Sequence, residues 1–403
     1  MSSRSMSSRS QSSLSQSSLS HLPIIDIDTH WVEPPDFWTR RAPARLKDVV
    51  PRIVRTDAGV DQWVVEADRV LAPAGFCVIR RDASKAYGTF CLDTMDEMHP
   101  SGGEPKARLE VMDRHGLTMQ ILYPNTLGFA GSAVMRIEDA ELRDFCLKAY
   151  NDGMAEVQAD GEGRLFPQAA VPFWDVDAAV TELERAHDDL GLTGFVINDA
   201  PEKWGLPTLC DPVYDPLWAV AQERGLPVNF HIGGGFSVGA PWQGHGAPGA
   251  LACSSSLSYF SNVRCITNLI FSGLLDRFPS LKFVSVESGI GWLPFQLEFC
   301  EYQYDENGTT HLQLRPREYF HRQIYASYWF EENAVPVVER LGADNIMFET
   351  DYPHPTCLYP DIQQSVARSL DGLDDASKRK ILYENACRVY QLELPSGVET
   401  GEG

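Results

Sequence analysis

Eight short runs of apolar and β-branched residues recur along the chain, near 24–28 (IIDID), 118–123 (TMQILY), 167–171 (PQAAV), 193–198 (TGFVIN), 226–231 (LPVNFH), 281–287 (LKFVSVE), 323–327 (QIYAS) and 345–350 (NIMFET). Their apolar character is nearly continuous, not alternating, as expected of strands covered on both faces. Between them the pattern shifts to a helical period over 105–115, 139–158, 176–190, 213–224, 256–277, 291–304 and 332–341, with a terminal helix near 375–391. Asp175 before VDAAVTELERA and Asp375 in DDASKRKILYENA offer capping side chains. Strand alternating with helix predicts a parallel sheet. Eight repeats favour its closure into an α/β fold, a (β/α)8 TIM barrel, and neither G-x-G-x-x-G after the first strand nor G-x-x-x-x-G-K-[ST] supports an open nucleotide-binding sheet.

Two stretches break the rhythm. Residues 31–103 form a large insertion after the first strand, where QWVVEADRVLAP reads as a hairpin amid Pro34, Pro35, Pro43 and Pro51. The Gly-rich stretch 232–255 follows His231 directly, and at a barrel mouth such a loop is expected to enclose substrate. Residues 1–21 are Ser-rich with no apolar core, which predicts a disordered tail and no secretory signal. The barrel with its insertion is expected over 22–395, followed by a second disordered tail over 396–403.

Composition narrows the partners. With 34 basic against 56 acidic residues the net charge is −22, which repels nucleic acid and anionic membrane surfaces. No apolar run approaches a membrane span. Nine cysteines, scattered and without a CxxC pair, point to reduced thiols in the cytoplasm.

The candidate chemistry sits at the strand ends. Asp28 and His30 close the first run, and residues two apart on a strand share a side. His231 closes the fifth, Glu287 the sixth, and Asp351 follows the eighth. In a barrel all five emerge at the C-terminal edge of the strands, where such enzymes carry their chemistry. Burying three acids there costs several kcal/mol unless a cation offsets it, so Asp28, His30, His231, Glu287 and Asp351 are predicted metal ligands. Asp351, Glu287 and His354 (in DYPHP) are the candidate catalytic groups; His354 is either a ligand or a hydrogen-bonding support for one. Asn198, Trp242 and Trp329 are candidates for the substrate pocket, and the mouth aromatics Trp31, Phe129, Trp204, Phe236 and Tyr259 suggest a substrate with apolar bulk.

The stretches IDIDTH, VNFHIGGG, LIFSGLLDRFPSLKFVSVESG, IMFETDYPHP and ILYENACRVYQL resemble the amidohydrolase superfamily, in the branch that includes aminocarboxymuconate semialdehyde decarboxylase. The resemblance spans roughly 23–392 and implies that Asp28, His30, His231 and Asp351 hold metal. It also implies a homodimer. Two positions depart from the branch: Asp28 replaces the first His or Glu of its [HE]-x-H motif, and Glu287 replaces the His after strand six. The resulting carboxylate-rich set is similar to that of amidohydrolase-fold non-haem diiron monooxygenases, and that likeness gives the main expectation. It implies two divalent ions, iron with zinc or manganese as alternatives, and an external electron donor. The substrate implied is a bulky carboxylic or acyl-thioester (acyl-CoA) intermediate of terpenoid secondary metabolism. The alternatives are a metal-dependent hydrolase of an amide, ester or lactone, and a non-oxidative decarboxylase.

Overall fold

The computed structural model describes residues 22–129, 131–234, 246–332, 334–398 and 400. The Ser-rich segment 1–21, Phe236, Trp242, His245 and part of the expected C-terminal tail lie outside the described residues.

All eight predicted runs are strands. The first arc of the sheet joins β1 (Ile25–His30) to strands farther along the chain, past an insertion that holds β2 (Arg52–Arg55), β3 (Asp61–Val65) and β4 (Arg69–Pro73). After the insertion come β5 (Met119–Tyr123), β6 (Leu165–Pro167), β7 (Ala169–Ala170), β8 (Phe195–Val196), β9 (Val228–His231), β10 (Phe283–Val286), β11 (Ile324–Tyr328) and β12 (Ile346–Phe348). Parallel pairing runs β1-β5-β6 and β7-β8-β9-β10-β11-β12. One residue separates β6 from β7: Gln168 donates its N–H to Leu122 on one side, and Ala169 donates to Gly194 on the other, both at 2.9 Å. These two segments are therefore one barrel strand shared between two neighbours.

The seam between first and last strands is closed by backbone and side chain together. Asp351 N–H donates to Asp28 O at 2.9 Å and His30 N–H to Tyr352 O at 2.7 Å. The buried Asp26 carboxylate adds a clamp, accepting from Thr350 N at 2.8 Å, Thr350 Oγ1 at 2.6 Å and Gln120 Nε2 at 3.1 Å. The (β/α)8 barrel is thus closed, and its strands are buried along nearly their full length, which explains the continuous apolar runs.

Helices cover the outside. Asp175 caps the helix Val176–Asp188 by accepting from Ala178 N, as its sequence position suggests. The helix Pro105–His115 begins with Pro at its first position and ends at Gly116 in the left-handed conformation, the expected asymmetry of ends. Other expectations need correction. The residue capping Asp375–Arg379 is Asp374, not Asp375, because its carboxylate is the one that reaches Ser377 N. The single helix expected over 256–277 is three: Gly246–Leu257, Phe260–Phe271 and Leu274–Arg277. Gly273, left-handed at φ 78°, separates the last two. Residues 246–255 of the stretch read as a loop are thereby helical. Helices Pro316–Gln323 and Ile362–Ser369 are additional, and both are too short for a strong periodic signal.

The insertion forms an antiparallel sheet in the order β2-β3-β4, which contains the expected hairpin. Its later residues fold over the mouth: Val78 N–H donates to Pro353 O at 3.0 Å, and Lys85 Nζ to Cys357 O. Phe76 and Phe90 are carried with them to the rim.

Candidate metal centre

Asp28, His30, His231, Glu287 and Asp351 come together in one buried cluster, with His354 beside them. Potential ligand atoms of Asp28, His30, His231 and Glu287 lie within 4.8 Å of one another, as do those of His30, Asp351 and His354. Asp28 Oδ1 lies 3.3 Å from His231 Nε2 and 3.5 Å from His30 Nε2. Asp351 Oδ1 lies 3.6 Å from His30 Nε2 and 3.2 Å from His354 Nδ1. Glu287 Oε2 approaches the other ring nitrogen of His231, Nδ1, at 3.6 Å. That nitrogen already faces Ile232 O at 2.8 Å, which leaves Nε2 as the lone pair turned toward Asp28.

Two of the acids sit on uncommon backbone. Glu287 has φ 54° and Asp351 φ 59°, left-handed conformations that cost a non-glycine residue roughly 1–2 kcal/mol. Each is held by neighbours. Glu287 N–H donates to Glu349 Oε2 at 3.0 Å, and Asp351 O accepts from His354 N at 2.9 Å. The turn after each strand thereby directs its carboxylate across the barrel end.

Burial sets the electrostatics. It pushes Asp28 well above the usual carboxylate range, with Asp351 and Asp26 adding repulsion. Glu287 is raised the same way, by burial first and then by Asp351, Asp28 and Glu349. Burial and the neighbouring imidazoles hold His30 well below its ordinary value, and burial alone brings His231 down to about 4. Left to itself the cluster would shed charge. Among the described residues Asp28 Oδ2, His30 Nε2 and Asp351 Oδ1 are buried without a hydrogen-bond partner. Unpaired buried polar atoms cost about 1–3 kcal/mol each, a cost that divalent cation binding at this cluster would offset. Mixed imidazole and carboxylate donors suit zinc, manganese or iron.

The cluster opens, through Glu287 and His354, on a cavity of about 220 Å³ walled by Phe76, Phe90, Phe129 and Trp329, with Ser254, Ser255 and Ser258 along one side. Among the described residues no Lys or Arg lines it. Phe129 packs on three imidazoles, with ring centroids 4.7 Å from His30, 4.9 Å from His231 and 5.1 Å from His354. Thr356 Oγ1 donates to Asp351 Oδ2 and also lies 3.3 Å from Glu287 Oε1. A hydroxyl has a single proton to give, so the second contact is a hydrogen bond when the Glu287 carboxyl carries one.

The sequence profile of the amidohydrolase family matches residues 25–392. The chain belongs to that family. Gamma-resorcylate decarboxylase of Rhizobium sp. (strain MTP-10005) is 26% identical over 301 residues, covering 71% of this amidohydrolase and 86% of the relative. Among solved structures, an amidohydrolase from Mycobacterium avium subsp. paratuberculosis K-10 superposes with a TM-score of 0.72 at 22% identity, covering 92% and 99% of the two chains. The dihydroxybenzoic acid decarboxylase of Polaromonas sp. JS666, solved with bound manganese and 2-nitroresorcinol, gives 0.58 at 18% identity, covering 92% and 97%.

These relatives overturn the main functional expectation. The curated sequence relatives, gamma-resorcylate decarboxylase among them, are decarboxylases, so the iron-dependent monooxygenase, the oxidoreductase class and the acyl-thioester substrate are withdrawn in favour of the alternative. The physical error concerned Glu287. The expectation counted Glu287 as one more anionic ligand of an iron site, but a carboxyl buried beside Asp351, Asp28 and Glu349 is driven toward its protonated form.

The pocket candidates divide. Trp329 lines the cavity. Asn198 does not: its amide donates to Gly234 O and accepts from Ala200 N, both at 2.9 Å, and so braces the turn after His231. Trp31 is buried below the mouth, against the Arg108 guanidinium. Sequence reasoning missed Phe76, Phe90, Asn125, Glu349 and Thr356. Only Glu349 left a signal, as the acid two residues before Asp351 on the same strand end.

Proposed function

We propose that this amidohydrolase is a metal-dependent, non-oxidative decarboxylase of a small hydroxylated aromatic acid. The observation that carries the proposal is Glu287, an acid placed between a buried cation-binding cluster and an aromatic-walled cavity. The family's decarboxylases, among them one for gamma-resorcylate and one for dihydroxybenzoic acid, support the reaction class. A cavity of about 220 Å³ supports a single-ring substrate, since pockets for drug-sized ligands start near 300 Å³.

In this proposal Asp28, His30, His231 and Asp351 hold the metal. A bound divalent ion would supply the positive charge that an anionic substrate requires in a cavity that no Lys or Arg lines among the described residues. Phe129 and Trp329 hold the ring, and the apolar walls exclude water. Glu287 gives its proton to the ring carbon that bears the carboxylate. The ring–carboxylate bond then breaks, its electron pair returns to the ring, and CO2 leaves. Thr356 keeps the Glu287 carboxyl aimed by bonding it and Asp351 at once. No oxidant or electron donor enters this balance. The cytoplasm remains the proposed compartment, in keeping with nine unpaired thiols. The homodimer is proposed with it, and the exposed face of Phe295, Phe299 and Tyr302 on the helix Leu293–Glu306 offers a surface for the second copy.

The test supplies manganese- or zinc-loaded protein with 2,6-dihydroxybenzoate and related hydroxybenzoates under nitrogen in D2O. Release of CO2 with one deuterium at the vacated ring position is expected. Turnover that requires dioxygen, or hydrolysis of esters and lactones with no CO2 from any of the acids, would overturn the assignment.

A further inference from the structure

We propose that His354 is a third imidazole ligand of the metal centre, through Nδ1, and that Asn125 makes it one by fixing the proton on Nε2. This rests on the metal-site reading above and extends it beyond the four strand-end ligands. His354 is 3% exposed, and its Nε2 lies 2.9 Å from Asn125 Oδ1. The orientation of that amide is set elsewhere: Asn125 Nδ2 donates to Phe76 O at 3.3 Å, so the oxygen is the end turned toward the ring. An amide oxygen only accepts, and Nε2 must therefore carry the hydrogen. A neutral imidazole has one N–H, which leaves Nδ1 with its lone pair.

That lone pair does not face solvent. It points at Asp351 Oδ1, 3.2 Å away, an oxygen with no hydrogen-bond partner that also faces His30 Nε2 at 3.6 Å. The His30 and His354 rings stack at 3.7 Å between centroids, nearly parallel at 20°, so both present an edge to the same carboxylate. Two lone pairs 3.2 Å apart repel, and a cation between them turns the repulsion into two bonds. The support for Asn125 is itself built in: its N–H and that of Thr126 donate to the buried Glu33 carboxylate at 3.3 and 3.2 Å, with Thr126 Oγ1 adding a bond at 2.7 Å. The arrangement is the one by which metal-binding histidines usually have their tautomer set from the far nitrogen.

The experiment reads tautomer and ligation separately from activity. Full-length protein labelled with 15N-histidine is compared by long-range 1H–15N correlation before and after zinc, with His354 identified by its absence in His354→Gln. Without metal His354 should show a bare Nδ1 and a protonated Nε2; one equivalent of zinc should move the Nδ1 resonance into the metal-bound range together with His30 and His231. Asn125→Ala should weaken zinc binding roughly 10- to 100-fold, and Asn125→Asp, which keeps an acceptor, should restore it. A proton on Nδ1, or an Nδ1 unmoved by zinc that shifts His30 and His231, overturns this proposal and leaves the metal site intact. Zinc that shifts none of the three overturns both.

Discussion

Glu33→Gln replaces a buried carboxyl with an amide of the same shape, and the structure fixes how the effect changes with pH. Burial raises the Glu33 carboxyl from 4.5 to about 7, outweighing the bonds it accepts from Asn125 and Thr126. The sign follows from proton counting. Between those two values the folded protein holds a proton that the unfolded chain has released, so the wild type loses stability as pH rises through that window. A difference of about 2.5 in pKa corresponds to roughly 3 kcal/mol, fully lost above pH ~7. The glutamine variant titrates nothing there. With an unfolding entropy of about 2 cal/mol/K per residue over roughly 380 ordered residues, 3 kcal/mol amounts to a shift of about 4 °C. Differential scanning calorimetry of both proteins at equal metal saturation, from pH 5 to pH 8, is the assay. The Tm of the variant should gain about 4 °C on that of the wild type across the range. A Tm difference that stays constant, or that moves in favour of the wild type as pH rises, would show that Glu33 is not held protonated by burial.

Three further outcomes follow from the site. Chelation should lower the Tm and abolish decarboxylation, with both restored by manganese or zinc; unchanged stability on complete metal removal would contradict a cation neutralising the buried acids. Glu287→Gln should retain bound metal but lose roughly 10²- to 10⁴-fold in kcat as the proton donor disappears, whereas loss of metal would place Glu287 among the ligands instead. Gly289→Ala forces a side chain onto φ 66° and sets its Cβ 2.6 Å from Glu331 Oε1, the acceptor for Ile290 and Gly291 N–H. Strain plus weakened bonds should cost about 2–4 kcal/mol, read as a lower denaturation midpoint; a neutral effect would mean that the turn after Glu287 tolerates repacking.

Much of the fold was legible because burial on both faces leaves a strong mark. Runs such as MQILY and FVSV carry no polar face, and only a parallel sheet wrapped in helices has a place for eight of them. The metal cluster was legible for a related reason. An Asp, Glu or His that ends such a run pays for its burial, so its presence there signals a partner. Asn125 and Thr356 left no comparable mark, since small polar residues in loops are common, and the contacts of Asn125 with His354 and of Thr356 with Glu287 span 229 and 69 residues of chain. The same holds for Phe76 and Phe90, which reach the cavity only because the insertion folds back to bond Pro353 and Cys357.

Local pattern thus determined the barrel, its strand order of acids and imidazoles, and the edge at which they meet, because hydrophobic period and backbone direction act over a few residues. It could not determine the reaction. The chemistry of Glu287 depends on Asp28, Glu349, Asp351 and Thr356 surrounding it, and the ligand role proposed for His354 depends on an amide that arrives from the loop after β5. Proton affinity and tautomer are properties of the assembled surroundings, and only the closed barrel brings those groups within a few ångströms.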